Sequence, residues 1–124
     1  MIERLLDSVI LIDHLNDLPP ASAYLKSLDP DRTAISVITY AEIMVGISET
    51  DQETVRNFLY QFTIFSIDPE IADMAAELRR KNRWKLPDAF QAAIAVYHHI
   101  RFATRNTKDF PPERHDFAEI PYIL

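Results

Sequence analysis

Short apolar runs alternate with helix-start signals along this chain, and that alternation constrains its fold more than any other feature. The run Leu5-Leu6-Asp7-Ser8-Val9-Ile10-Leu11-Ile12 is broken by one acid. It predicts a buried strand ending near Asp7 that passes into a helix through about Asn16. Pro19-Pro20 opens a second helix with Ala23, Tyr24 and Leu28 as its apolar face, and Thr33-Ala34-Ile35-Ser36 reads as a second strand. Thr39-Tyr40-Ala41-Glu42 and Thr50-Asp51-Gln52-Glu53 each fit a capping box, in which a hydroxyl and a glutamate three residues on satisfy each other's backbone N–H groups. Asp68-Pro69 places a capping acid before a proline at the first position of a helix over 69–82. Pro87 opens another helix, through Ala92, Ala93 and Val96 to about His99. Phe62–Ile67 and Arg101–Thr104 are β-like, and Phe117–Ile120 reads as an edge strand. Strands that alternate with helices predict an α/β fold with a mostly parallel sheet, whose ligands bind beyond the carboxyl ends of the strands.

Composition narrows the chemistry. A length of 124 residues, 48% of them hydrophobic, predicts one domain over residues 1–124 with a real core. The chain has no cysteine, which removes disulfides, thiolate metal sites and a thiol nucleophile. Its one glycine, Gly46, cannot build the glycine-rich loops that cradle nucleotide phosphates. Phosphate chemistry, if any, falls to side chains and metal ions. A net charge of -6 taken as a total argues against nucleic acid, although a total says nothing of distribution. No apolar run is long enough to span a bilayer, and Met1-Ile2-Glu3-Arg4 lacks a basic leader, so the expected location is cytoplasmic.

Four acids occupy places where a parallel sheet would gather them at one edge. Asp7 closes the first strand, Glu42 lies in the first turn of the helix after the second, Asp88 starts a helix, and Asp109 follows the strand near residue 104. Close carboxylates repel unless a cation sits among them, and oxygen ligands favour Mg²⁺ or Mn²⁺ over zinc. Such ions activate water for phosphodiester hydrolysis. Each acid also has a plain local explanation: Glu42 completes a capping box, Asp88 suits a helix dipole, and Asp109 suits a turn. Asp7 is the hardest to explain away, because an acid within an apolar run must be satisfied by something.

Taken together the motifs are more specific. Leu5 to Asp13, Ile35-Ser36-Val37-Ile38-Thr39-Tyr40-Ala41-Glu42-Ile43, and Leu86-Pro87-Asp88-Ala89 through Thr104-Arg105-Asn106-Thr107-Lys108-Asp109-Phe110 resemble, in order and spacing, the PIN-domain family and within it the VapC-like toxins. The resemblance implies a three-layer α/β/α fold, Mg²⁺-dependent endoribonuclease activity (Mn²⁺ substituting), inhibition by a cognate antitoxin and a homodimer. It implies Asp7, Glu42 and Asp88 as core acids, with Asp7 and Asp88 as principal metal ligands and Asp109 as a more variable fourth. Ser8 matches the small hydroxyl residue after the first acid, and Asn106 the polar group near the site. One position departs: where the family usually has Asn two residues after the first acid, this chain has Val9.

Arg79, Arg80, Lys81, Arg83 and Lys85 fall within seven residues around Trp84. With Arg105 near Asp109, Arg83 and Lys85 are candidates for guiding an RNA backbone, and Trp84 for stacking a base. The same cations also suit the end of the preceding helix. The four histidines show no metal spacing. Two other functions fit less of the chain. A PIN-like module that binds RNA or a partner without turnover is favoured by Val9. A receiver-like signalling domain lacks a phosphoacceptor Asp at a mid-chain strand end.

Overall fold

The local signals become a five-stranded sheet wrapped by six helices. The computed structural model describes all residues, Met1–Leu124. Strands β1 (Arg4–Leu6), β2 (Thr33–Ser36), β3 (Thr63–Phe65), β4 (Arg101–Ala103) and β5 (Ala118–Glu119) lie in the order β3-β2-β1-β4-β5. Every pairing is parallel, with Leu5 beside both Ala34 and Phe102. Helices α1 (Ser8–Leu15), α2 (Pro19–Lys26), α3 (Val37–Val45), α4 (Gln52–Leu59), α5 (Pro69–Asn82) and α6 (Leu86–Tyr97) fill the connections. None is long and apolar enough to cross a membrane.

Successive strand residues point to opposite faces, and the two faces carry separate cores. Leu5, Ala34 and Phe102 pack on one side with Ile71, Ala75, Ala92 and Ile94 from α5 and α6. Leu6, Ile35 and Ala103 pack on the other with Leu11, Ile43, Val55 and Leu59 from α1, α3 and α4. The result is the three-layer α/β/α sandwich. Alanines at 89, 92, 93 and 95, all buried, let α6 lie close to the sheet and to α5.

Helix starts follow local chemistry, with two shifts from expectation. Asp68 caps α5 by accepting the Ile71 N–H at 3.0 Å, with Pro69 next, as the sequence predicts. Helix α3, however, begins at Val37, not near Thr39: Ser36 ends β2 and its hydroxyl takes the Thr39 N–H at 3.1 Å. Thr39 is therefore the recipient of the cap, and Glu42 lies beyond the first turn. The Thr50 box does not form either. Glu49–Asp51 is a 3₁₀ turn, Ser48 donates to Asp51 at 3.0 Å, and α4 starts at Gln52 without a side-chain cap. In α2 the buried alanine is Ala21; Ala23 is exposed, and Tyr24 reaches across to Glu119.

Candidate active site

The chain runs outward from β1 through β2 to β3, then returns to place β4 on the other side of β1. The gap beyond the carboxyl ends of β1 and β4 is thus a topological switch point, where open α/β sheets bind ligands. Asp7, the residue after β1, sits in this gap. Its N–H bonds the Ala103 carbonyl at 2.9 Å, and its carboxylate caps α1 by accepting the Ser8 N–H at 2.8 Å. The Thr104 hydroxyl, just past β4, donates to the other carboxylate oxygen at 2.7 Å. Asp7 is 8% exposed. Burial raises its pKa, the bonds from Thr104 and Ser8 work against the rise, the charge of Glu42 adds to it, and the net shift is upward.

Asp88 reaches the same gap from α6. Helix α6 follows the cap residue Lys85 and carries Pro87 and Asp88 in its first turn. Asp7, Ser8, Val9, Asp88, Arg105 and Asn106 line one cavity of about 300 Å³. Partial burial raises the pKa of Asp88, and the charges of Asp7 and Asp109 raise it further against the pull of Lys85. Raised carboxyls that feel one another mark a place where negative charge is held at a cost a cation would relieve.

The other two acids do not line this cavity, so Glu42 does not complete it as the sequence suggested. Glu42 is exposed and lines a separate groove of about 190 Å³ between α1 and α3, with Ile12, Leu15 and Ile43, yet its charge is felt at Asp7. Asp109 is held by Asn106, whose amide N–H donates to its carboxylate at 3.0 Å while its amide oxygen accepts the Asp109 N–H at 3.1 Å. No three acidic or histidine side chains close on a single point. Two carboxylates beside open volume suit a hydrated Mg²⁺ or Mn²⁺, which keeps several waters and shares its shell with substrate phosphates.

The basic segment divides. Arg83, at φ 60°, ends α5 in the left-handed region and lines a cavity with Arg79 and Arg80, apart from the acids. Lys85 is exposed, and its charge reaches Asp88. Trp84 is not a stacking platform. It is 4% exposed, packs against Phe110 and His115, and donates its indole N–H to the Asp109 carbonyl at 3.0 Å. An indole in an apolar pocket needs a partner for its N–H, and the turn carrying Asp109 supplies it.

This geometry and sequence belong together with known proteins. The model of the PIN domain matches residues 4–111. The chain belongs to the PIN-domain family. Among PIN-domain relatives, it is 33% identical over 113 residues to Ribonuclease VapC10 of Mycobacterium tuberculosis, covering 86% of this chain and 85% of that protein. A toxin–antitoxin complex from Klebsiella pneumoniae contains a chain of the same fold at TM-score 0.90 and 36% identity, covering 98% of this chain and 100% of that one. FitAcB from Neisseria gonorrhoeae shares the PIN fold at TM-score 0.81 and 24% identity, over 98% of this chain and 99% of the other.

Four polar residues around this PIN-domain site escape sequence reasoning. Thr104 holds Asp7. Asp13 holds Arg105 through two bonds, at 2.7 and 3.1 Å. Thr39 and Gln91 form a buried pair, with the Gln91 amide donating to the Thr39 hydroxyl at 2.6 Å. The pair links α3 to α6 behind Asp7. The one available signal was polar residues in apolar runs, such as Thr104 after Phe102-Ala103 and Gln91 before Ala92-Ala93.

Proposed function

We propose that this chain is a Mg²⁺-dependent endoribonuclease that hydrolyses RNA phosphodiester bonds, the toxin of a toxin–antitoxin pair, acting in the cytoplasm as a homodimer and neutralised by a cognate antitoxin. The observation that carries the reading is the pair Asp7 and Asp88, on different elements, facing one open cavity at the switch point with both pKa values raised. Relatedness supports it: one relative is a ribonuclease and one structural neighbour a toxin–antitoxin complex.

Asp7 and Asp88 would hold the ion, with Mn²⁺ able to replace Mg²⁺. Bound there, the ion would supply a water nucleophile and would offset charge on the leaving oxygen. The chain's own residues do the rest. Thr104 and the Ser8 N–H fix the Asp7 carboxylate in one orientation. Glu42, in the neighbouring groove and close enough for its charge to be felt at Asp7, would accept a proton from attacking water. Asn106 steadies Asp109, whose charge adds to the pull on a cation. Arg105, Ser8 and Asn106 contact substrate phosphate or ribose, and Arg83 and Lys85 draw in the flanking RNA backbone.

Purified protein should cleave RNA in Mg²⁺ or Mn²⁺, and Asp7→Asn and Asp88→Asn should each lose at least about a hundredfold in kcat/KM. Equal cleavage by wild type and variants would remove these acids from the reaction. Expression of the wild type alone should arrest growth, and Asp88→Asn should not.

A second reading, a PIN-like module that binds RNA or a partner without cutting, draws on Val9. This apolar side chain lines the acidic cavity, at the position where the family resemblance implies an asparagine. Metal-independent RNA binding by clean protein with no turnover would favour it.

A further inference from the structure

Asp13 is an acid the reaction does not use, and it is 4% exposed. It lies on α1. Both its oxygens are taken. Oδ1 accepts Arg105 Nη2 at 3.1 Å, and Oδ2 accepts Arg105 Nε at 2.7 Å and the Tyr122 hydroxyl at 2.8 Å. Three distant parts of the chain meet there: α1, the loop after β4, and the segment after β5. Burial alone would raise the Asp13 carboxyl, but the bonds from Arg105 and Tyr122 and the arginine's charge outweigh it, and the carboxyl lies below its ordinary value.

Arg105 is the one cation lining the cavity that Asp7 and Asp88 share. A free guanidinium there would fold onto those carboxylates and compete with a metal ion. It makes no ion pair with either, because the Asp13 fork holds it. A guanidinium carries five N–H donors, and a bidentate carboxylate fixes its plane. Asp13 uses two of them, and the remainder are left for another anion.

We propose that Asp13 and Tyr122 are positioning residues for the substrate: they lock Arg105 at the cavity wall as a receptor for an RNA phosphate and keep it off the metal-binding acids. The proposal rests on the nuclease reading for its substrate. It adds a division of labour between two groups of acids, one for the ion and one for the arginine.

The test is steady-state cleavage of a short single-stranded RNA in Mn²⁺, beside fluorescence anisotropy of the same RNA in Ca²⁺. Thermal melts and Mn²⁺ titrations accompany both. Asp13→Asn should raise KM and the anisotropy Kd about tenfold or more, with kcat within about twofold. Tyr122→Phe keeps the ion pair and should move the same two constants about threefold. Arg105→Lys keeps the charge but not the fork, and should behave like Asp13→Asn. Adding Asp13→Asn to Arg105→Lys should then cost little more, because the two act as one unit. A purely structural cluster would lower Tm and leave KM and Kd unmoved, and that result overturns the proposal. So does a fall in kcat at constant KM. If Asp13→Asn fails to fold, Tyr122→Phe decides alone. If no variant and no wild type cleaves, but RNA affinity still falls in Asp13→Asn and Tyr122→Phe, the nuclease reading fails while the anchoring stands. Cleavage with unchanged KM and Kd sinks the anchoring alone.

Discussion

Asp7 shows how one residue can hold structure together and still face a cavity. It ends a strand, caps a helix and presents a carboxylate to the cavity, and two donors from different elements hold it there. Thr104→Val keeps the shape and removes the 2.7 Å donor. It should weaken Mn²⁺ affinity about tenfold to a hundredfold by calorimetry, with a matching loss of cleavage. Asp13 gives a pH prediction of definite sign. Its folded pKa is depressed below the ordinary 3.8, so its stabilising effect is fully present above that value and is lost as pH falls below it through the folded pKa. Denaturant unfolding of wild type and Asp13→Asn should therefore differ at pH 6, and the gap should close on acidification below about pH 3.8. The acids themselves were visible in the sequence. Their supports, Thr104 and Gln91, were not, because each is an ordinary residue until the fold sets it beside Asp7.

Elements were legible where a local bond decides them and misplaced where two local bonds compete. Asp68-Pro69 admits one reading, and the helix starts there. Thr39 was plausible as a cap, but Ser36 stands three residues earlier at the end of a buried strand and reaches the Thr39 N–H first. Asp68→Ala should cost about 1 kcal/mol of unfolding free energy and leave cleavage unchanged. Arg83 tests the basic segment. With φ at 60° it sits where glycine is at ease, so Arg83→Gly should stabilise by roughly 0.5–1 kcal/mol. The same variant should weaken RNA binding and flatten its salt dependence if Arg83 touches a phosphate. A variant that is both less stable and unchanged in RNA affinity would remove Arg83 from both roles.

At the scale of the molecule, two cores share one sheet and the site occupies their common edge. Phe110 is fully buried and packs against Trp84, Phe102 and Phe117, so the turn bearing Asp109 hangs from the core. Phe110→Ala should cost about 3–5 kcal/mol, a large part of the roughly 5–15 kcal/mol that holds a typical domain. The lone tryptophan reports on the same region. Buried as it is, Trp84 should emit as an apolar-site indole, resist acrylamide and show no quenching by RNA. Strong quenching by RNA would mean that the indole leaves its pocket. The net charge of -6 also reads differently in three dimensions. Asp7 and Asp88 converge where a cation would offset them, while Arg79, Arg80 and Arg83 stand together elsewhere.

The sequence by itself determined the alternation of strand and helix, hence a parallel α/β sheet, and it marked Asp7, Glu42, Asp88 and Asp109 as the acids in question. These are short-range properties, set by periodicity, caps and the cost of an acid in an apolar run. Only the tertiary structure decided which acids share a cavity. It drew Asp7 and Asp88 together, left Glu42 and Asp109 off the walls of their cavity, turned Trp84 inward and tied Arg105 to Asp13 across 92 positions of chain. Such choices depend on strand order and on which buried donor finds which carboxylate. Both are set by packing between residues far apart in sequence, where local pattern carries no information.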